Sequence, residues 1–379
     1  MTQPPSLDNL PRELQEIIAG YLSQRDMAIS IRVCQAWKQL LLPYVWRHIE
    51  YKEWSESRSW NVKVERPFLW DDAFLQSCES SGALKTHGHL IHSINLATLS
   101  TFLEHAPPTL PQLMSVEIKD LKGDDESIAE FFRRCTGGLR KFVVHNYVWD
   151  TDTGFGLRAV AALLGHHAST LEIVRMNSVP HSNLDSEDIQ QLLCTAPNLK
   201  ELYLLGATRY ADRRDGRLNA RDVVRSEWVC TKLEVFGCEI DGIPRPDITR
   251  EICFAPPEEF LLPGTSEESI ALQRQVYTQL GRLTRLRQLT LGARCSSRQS
   301  DFGSTKEEDR LYGCLAMTLV SGLDLLRNLN KLERVGLQDM EVYFGQKEWE
   351  WAMANWPGCH TILYDTFVPR RYVGFESLV

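Results

Sequence analysis

A short apolar motif recurs along most of the chain. Apolar residues occupy positions one, four and six of a six-residue unit, while positions two, three and five are mostly polar. The alternation of positions four and six predicts a short β-strand whose apolar side chains point to one side. Nine such units begin at Trp46, Ile91, Leu113, Leu139, Leu171, Leu199, Leu233, Leu286 and Leu332. Nine copies predict a repeat architecture rather than a single compact domain.

Helix-like apolar spacing lies ahead of several units. The segments are 128–134, 158–164, 185–193, 269–280 and 311–326. Each unit is therefore predicted to be a helix followed by a strand, which is the L-x-x-L-x-L unit of leucine-rich repeats. From Ile91 onward the units start 22 to 53 residues apart, whereas regular repeats have periods of about 20–29 residues. The solenoid is predicted to be irregular, and the longest interval, from Leu233 to Leu286, is long enough to hold a degenerate unit.

Stacked units of this kind form an α/β fold, with a curved parallel sheet on the concave face and helices on the convex side. Such a surface is suited to binding a large partner. The residues at positions two, three and five point outward, and their charges are mixed. The candidate target-binding residues on this face are Arg140, Arg175, Lys200, Tyr203, Arg287 and Arg334. The alternative is an ordinary solvated sheet surface.

The first 47 residues show a different pattern. Polar residues and Pro11 predict a helix start near Pro11, and the apolar residues from Leu14 to Leu22 recur at helical spacing. A second apolar series runs from Met27 to Leu41 and is predicted to form two short helices that end at Pro43. About forty residues cannot enclose this many apolar side chains, so the cluster is expected to bind an external protein.

Residues 8–47 contain three motifs in order. They are Leu10-Pro11-x-Glu13-Leu14, Val33-Cys34-x-x-Trp37 and Pro43-x-x-Trp46-Arg47. Together they resemble an F-box, in particular the F-box of fungal F-box and leucine-rich-repeat proteins. Met27 stands where leucine is commoner in that family, which is a swap that conserves volume. The alternative is that these helices only cap the following repeats.

The resemblance implies a function and a division of the chain. In that family the F-box docks on the small Skp-type adaptor of cullin-RING (SCF-type) ubiquitin ligases, and the rest of the chain captures the target protein. It implies an F-box domain over residues 1–47 and a repeat domain with a C-terminal cap over residues 48–379. A repeat scaffold acting outside ubiquitination is the alternative. Trp37 is expected to be the main anchor. The implied adaptor-binding residues are Leu10, Pro11, Leu14, Ile17, Leu22, Met27, Val33, Cys34 and Trp37.

Three further segments depart from the repeat pattern. Residues 209–225 hold six arginines and three aspartates, which could grip an acidic or phosphorylated segment or simply be solvated. Residues 241–268 are rich in proline and are predicted to form a long surface loop. Near the C-terminus, Trp349, Trp351 and Trp356 cluster in and after a helix-like stretch over residues 345–354. This cluster is expected to cover the last repeat, with an aromatic ligand site as the alternative.

Enzyme and metal motifs are weak. Gly154-x-Gly156-x-x-Ala159 follows a strand-like run, as a dinucleotide-binding loop would, but Asn177 and Ser178 stand where an acidic residue should bind the ribose. His87, His89 and His92 lie close together without a cysteine or carboxylate at ligand spacing. The sequence contains no G-x-S-x-G, P-loop or H-E-x-x-H motif. We therefore expect no catalytic residues, no cofactor and no metal.

The composition and net charge limit the classes of partner and the cellular compartment that we expect. The 379 residues are 43% hydrophobic and 24% charged with a net charge of −8, which disfavours nucleic acid and anionic membranes as partners. We find no run of 18 apolar residues and no secretory apolar segment near the N-terminus. Ten cysteines are scattered singly, as expected for reduced, mostly buried thiols in a cytoplasmic or nuclear protein.

Overall fold

The N-terminal apolar series folds into three helices. The computed structural model describes residues 10–50, 81–121, 123–145, 155–177, 184–205, 217–244, 267–292, 314–337, 340 and 345–364. The helices are α1 (Arg12–Tyr21), α2 (Gln24–Ser30) and α3 (Gln35–Arg47). Ser23 caps α2 by accepting a hydrogen bond from the Asp26 N–H at 3.1 Å.

The prediction that the third helix ends at Pro43 is wrong, because α3 continues through Pro43 to Arg47. A proline inside a helix leaves the carbonyl of the residue four positions earlier without its usual N–H partner. That residue is Gln39, and both Gln39 and Pro43 are exposed. Water can therefore satisfy the freed carbonyl, and the helix tolerates the proline.

The repeats assemble into one ten-stranded sheet in which neighbouring strands are parallel. The order is β1-β2-β3-β4-β5-β6-β8-β10-β11-β12. All nine predicted units coincide with one of these strands. The strands are β1 (His48–Glu50), β2 (Ser93–Thr98), β3 (Ser115–Asp120), β4 (Lys141–His145), β5 (Ile173–Asn177), β6 (Glu201–Tyr203), β8 (Val235–Gly237), β10 (Gln288–Gly292), β11 (Arg334–Leu337) and β12 (Thr361–Tyr364).

Two features of the sheet differ from the prediction. β8 pairs directly with β10, with Val235 opposite Gln288, so no strand of a degenerate unit lies between these two in the sheet. β12 is a tenth unit, in which Ile362 lies opposite Val335 of β11. The pattern did not reveal this unit because cysteine, at Cys359, replaces leucine at position one. The Cys359 N–H donates to the Trp356 carbonyl at 3.0 Å, the same turn that Leu332 makes with Leu329.

Helices lie between most strands, and four of the five predicted segments are confirmed. A separate two-stranded parallel sheet pairs β7 (Arg217–Asn219) with β9 (Glu239–Asp241). The helices after the F-box-like region are α4 (Ala83–His87), α5 (Leu99–His105), α6 (Asp125–Arg134), α7 (Leu157–His167), α8 (Ser186–Thr195), α9 (Ala220–Val223), α10 (Glu267–Gly281) and α11 (Gln346–Asn355).

The fifth predicted helix, over residues 311–326, is wrong. Residues 314–322 are irregular, and a 3-10 helix follows over Leu323–Asn328. Side chains of α10 replace the helical hydrogen bonds here, because Gln273 Oε1 accepts from the Ala316 N–H at 2.9 Å and the Tyr277 hydroxyl accepts from the Met317 N–H at 3.0 Å. Tertiary contacts therefore override the local apolar spacing.

The core follows from the strand alternation. In the units from Ile91 to Leu332, residues at positions four and six are buried together with the inner faces of the helices in one continuous cluster. In its centre the rings of Phe132 and Phe142 meet edge to face with centroids 5.1 Å apart. Val143, at position five, is also buried but lies outside this cluster. Positions three and five therefore form the outward face of the sheet.

A buried histidine joins two successive repeats. His167 of α7 accepts a hydrogen bond from the Leu139 N–H through Nδ1 at 3.1 Å, and its Nε2 lies 2.9 Å from the Phe132 carbonyl. With both contacts made, the ring is neutral with its proton on Nε2. Burial lowers the pKa of His167, which keeps the ring neutral.

No helix in the described part of the chain is long and apolar enough to span a bilayer.

Candidate functional site

An exposed apolar stripe runs along α1. Leu14, Ile17 and Tyr21 recur three and four residues apart, so they share one side of the helix, and they are 45%, 53% and 88% exposed. Ala19 on the opposite side is buried. Ile29 of α2 and Val33 are also exposed. This group, Leu14, Ile17, Tyr21, Ile29 and Val33, is called the apolar stripe below.

The predicted adaptor-binding residues fall into three classes of exposure. Leu10, Leu22 and Trp37 are half-buried, and Leu22 and Trp37 pack against the core. Met27 is buried in the core, so it supports the helices from within rather than presenting a side chain to a partner. The exposed members are Pro11, Leu14, Ile17, Val33 and Cys34.

Sequence reasoning left Tyr21 and Ile29 out of the predicted docking set. Both are exposed apolar residues of the helical cluster. Tyr21 could have been included from its spacing, because it lies seven residues after Leu14 and therefore returns to the same side of a helix. Ile29 had no such signal, since its helix is only seven residues long.

The helical cluster is joined closely to the first repeat. The Gln24 side-chain amide donates to the carbonyls of Val45 at 2.9 Å and His48 at 2.8 Å, which ties α2 to the junction of α3 and β1. Trp46 is buried, and its ring lies 5.2 Å from that of His87 in α4. The apolar stripe is therefore held in a defined position relative to the sheet.

A second candidate surface is the outward face of the sheet, on which charges alternate. At position two, each residue donates its N–H to the carbonyl of the residue at the same position in the preceding unit. Over six successive units this row carries three cations and three anions in strict alternation. These six residues are Arg140, Glu172, Lys200, Glu234, Arg287 and Glu333.

Four of the predicted target-binding residues are paired within this face. Arg140 lies 3.8 Å and Lys200 2.6 Å from Glu172. Arg175 lies 2.6 Å from Glu201, and Arg287 lies 3.0 Å from Glu333. The cations are all more than 40% exposed, so each pair contributes at most about 1 kcal/mol to stability. Arg334 is exposed on the same face.

Glu117 of β3 is the centre of a similar group. Lys141 and His145 both lie 3.1 Å from its carboxylate oxygens. Burial acts to raise the pKa of Glu117, but hydrogen bonds and the charges of Lys141 and His145 outweigh it and hold this pKa below its usual value. The carboxylate is therefore ionised at neutral pH and neutralises the charge of Lys141 beside it.

Tyr203, the sixth predicted target-binding residue, is held in place by a glycine. A Cβ added at Gly237 of the next strand would lie 2.4 Å from Tyr203 Cδ2, so the ring occupies the space above the glycine backbone. Tyr203 is half-buried, and burial raises the pKa of its hydroxyl despite the nearby charge of Arg175. The result is a fixed, neutral aromatic ring in the middle of the outward face.

The arginine-rich segment is engaged within the chain where the structure describes it. Arg217 is buried and lies 2.7 Å from Glu239 across the β7–β9 sheet. Arg225 lies 3.2 Å from Glu187. Arg217 therefore links β7 to β9, whereas Arg225 forms an exposed ion pair with α8. Arg209, Arg213 and Arg214, and nearly all of the proline-rich stretch 241–268, lie outside the described residues.

Gly156, the second glycine of the motif before α7, serves a structural purpose, while Gly154 lies outside the described residues. The Asp125 carboxylate of α6 accepts hydrogen bonds from the N–H groups of Gly156, Arg158 and Ala159 at 2.8–3.0 Å. A side-chain carboxylate therefore occupies the helix N-terminus that a pyrophosphate would need. Among the described residues no group of three metal-ligating side chains could hold an ion, and this holds for His87, His89 and His92.

The C-terminal tryptophans pack as part of the last repeats. Trp356 is buried, and its Nε1–H donates to the Leu326 carbonyl at 3.2 Å. Trp351 meets it edge to face with ring centroids 5.2 Å apart. Trp349 is partly exposed on α11. Since β12 follows these residues, the cluster lies between two strands of the sheet rather than after its last strand.

The seven described cysteines are all free thiols. Cys135, Cys230 and Cys238 are buried, and burial raises the pKa of each thiol, in Cys230 to about 12. These groups pack as small apolar side chains. Cys34, at the N-terminus of α3, is exposed.

Comparison with known proteins supports the description of the N-terminal helices. The F-box-like family model matches residues 7–52, which span the three helices and β1. The N-terminal part of the chain is therefore an F-box-like domain. No curated protein matches the chain. A solved structure of a leucine-rich-repeat protein from Leptospira interrogans aligns over 72% of this chain and 75% of its own at 10% identity, but its TM-score of 0.19 is too low to carry an argument.

Proposed function

We propose that the protein is the target-recognition subunit of an SCF-type cullin-RING ubiquitin ligase. The F-box-like helices would dock on a Skp-type adaptor, and the outward face of the repeat sheet would capture a target protein. The observation that carries this proposal is the apolar stripe within the segment that matches the F-box-like model. Such a stripe destabilises an isolated chain in water and favours association with a complementary apolar surface.

In this role the chain itself catalyses no reaction. It holds a target near the ubiquitin-carrying enzyme, which raises the effective concentration of the target at the transfer site. The close junction between α2, α3 and β1 suits this mechanism, because it fixes the outward face relative to the docked adaptor. The proposal places the protein in the cytoplasm or nucleus, with no cofactor, nucleic acid or membrane as a partner.

Co-purification with a Skp-type adaptor tests the docking step. The wild-type chain should retain the adaptor, and a Leu14→Glu, Ile17→Glu double variant should lose it, because two charges would enter an apolar interface. Both residues are about half exposed, so the fold should survive. Leu157→Glu is the matched control, since Leu157 is 69% exposed on α7 in the repeat region. If the double variant retains the adaptor as well as the control does, this surface is not the docking site.

Ubiquitin transfer separates a ligase subunit from a scaffold that merely engages the adaptor. With the full ligase reconstituted, the wild-type chain should shorten the lifetime of its target in cells and promote its modification in vitro. The Leu14→Glu, Ile17→Glu variant should do neither, although it still binds the target. A target that is bound but never modified would favour the scaffold.

A further inference from the structure

One row of the outward face carries no charge over five consecutive strands. At position five, Tyr203 lies opposite Gly237, Gly237 opposite Thr290, Thr290 opposite Gly336, and Gly336 opposite Leu363. We call Tyr203, Gly237, Thr290, Gly336 and Leu363 the neutral row. Strands lie about 4.8 Å apart, so five strands span roughly 19 Å. This length matches about six residues of an extended peptide lying across the strands.

The side chains of the neutral row differ in size and exposure along its length. Its two large side chains stand at its ends, with Tyr203 half-buried and Leu363 50% exposed. Between them Gly237 and Gly336 are buried, and Thr290 is 9% exposed. A Cβ added at Gly336 would lie 2.6 Å from Thr290 Cγ2, so Thr290 leans over this glycine as Tyr203 leans over Gly237. Small groups thus form a shallow trough between a fixed ring and an apolar side chain.

The charged side chains at the Tyr203 end of the trough argue against an acidic or phosphorylated ligand there. Arg175, the cation paired in register with Tyr203, already lies 2.6 Å from Glu201. An anion bound there would therefore stand next to a carboxylate. From Arg140 to Glu333, each position-two cation has a glutamate on the neighbouring strand. Arg334 of β11 is exposed on the same face, but the five residues of the neutral row carry no charge, so the trough itself is complementary to an uncharged occupant.

We propose that the trough between Tyr203 and Leu363 binds an uncharged, extended target segment of about six residues that places an apolar side chain against the Tyr203 ring. This inference rests on the proposed function and deepens it, because it assigns the chemistry of the recognised segment. Tyr203 makes the main contact with the segment. Gly237 is a positioning residue that sets the height and tilt of the Tyr203 ring.

Fluorescent peptide pools of about eight residues test the inference with the full-length chain. The pools are random except for a central residue, which is leucine, glutamate or phosphoserine. The leucine pool should bind about tenfold more tightly than either acidic pool, and Tyr203→Ala should weaken its binding about tenfold. Gly237→Ala should also weaken binding, since the added methyl displaces the ring. The inference is overturned if an acidic pool binds as well as the leucine pool, or if no pool binds.

Two variants of opposite charge at Leu363 distinguish an apolar contact from an electrostatic contact and from a loss of folding. Because this side chain is half exposed, Leu363→Glu and Leu363→Lys should both fold, and both should weaken leucine-pool binding. An acidic ligand would instead bind Leu363→Lys more tightly. Leu157→Glu should leave binding unchanged. Adaptor capture is measured with the same variants. If adaptor capture persists while substitutions at Tyr203 and Leu363 leave peptide binding unchanged, this inference fails and the proposed function stands. If the wild-type chain does not capture the adaptor, the proposed function itself fails.

Discussion

The Asp125 carboxylate accepts the Gly156 N–H at 3.0 Å, although the two residues belong to successive repeats. Two further N–H groups, of Arg158 and Ala159, donate to the same carboxylate. One acidic side chain thereby caps the helix of the following repeat and links α6 to α7. Gly156 leaves the room for this contact, since a Cβ there would approach the carboxyl group to 3.2 Å.

Asp125→Ala should lower the free energy of unfolding by about 1–3 kcal/mol, because three N–H groups at a helix start lose their acceptor. Glu126→Ala is the matched control on the adjacent residue. Glu126 forms exposed ion pairs with Arg133 and Arg158, so its loss should cost much less stability than the loss of Asp125. Chemical denaturation of both variants measures the difference, and equal costs would contradict the role given to Asp125.

His167 should make the stability of the protein depend on pH. Burial lowers the pKa of His167 below its ordinary value of 6.5, so the unfolded chain binds a proton that the folded chain excludes. The free energy of unfolding should therefore be highest above pH 6.5 and decrease as the pH falls below it. His167→Gln should reduce this dependence, measured as the difference in unfolding free energy between neutral and mildly acidic buffers. An unchanged slope in the variant would exclude His167 as its source.

Tyr277→Phe should destabilise the chain by about 1–3 kcal/mol, since the buried Met317 N–H would lose its acceptor while the ring volume stays the same. Tyr21→Phe is the control, because Tyr21 is 88% exposed on α1 and should change stability little. Thermal or denaturant unfolding gives the comparison. Equal stability of the Tyr277→Phe variant and the wild type would show that the irregular segment 314–322 does not depend on this hydrogen bond.

Thiol reactivity should differ sharply among the described cysteines. Cys34 is exposed and should react readily with an alkylating reagent in the native protein. Cys230 is buried with a pKa raised to about 12, so it should react only when the chain unfolds. Mass spectrometry of peptides after timed alkylation reports each site separately. Fast modification of Cys230 under native conditions would contradict its placement in the core.

The sequence predicted the strands better than the segments between them. The spacing of apolar residues located nine strands, because positions four and six must be buried in every unit. It missed β12, where Cys359 replaces leucine, and it assigned a helix to residues 311–326, where Gln273 and Tyr277 impose an irregular path. Such contacts join residues at least 40 positions apart, and local spacing cannot reveal them.

The residues of the two candidate surfaces were also predicted only in part from the sequence. Helical spacing identified Leu14 and Ile17, which are exposed, but it could not show that Met27 is buried, since that depends on how α2 packs against α3. On the sheet, the sequence identified Arg175 as a candidate target-binding residue. Its pairing with Glu201 depends on strand register, which becomes known only when neighbouring units are aligned.

The central claim, that the apolar stripe docks a Skp-type adaptor, is tested most directly by calorimetric titration of the full-length chain with a purified adaptor. The account predicts a one-to-one complex with a negative heat-capacity change, because apolar surface is buried on binding. It also predicts that Leu14→Glu, Ile17→Glu abolishes binding while Leu157→Glu does not. No binding by the wild-type chain, or equal binding by the double variant, would contradict the claim.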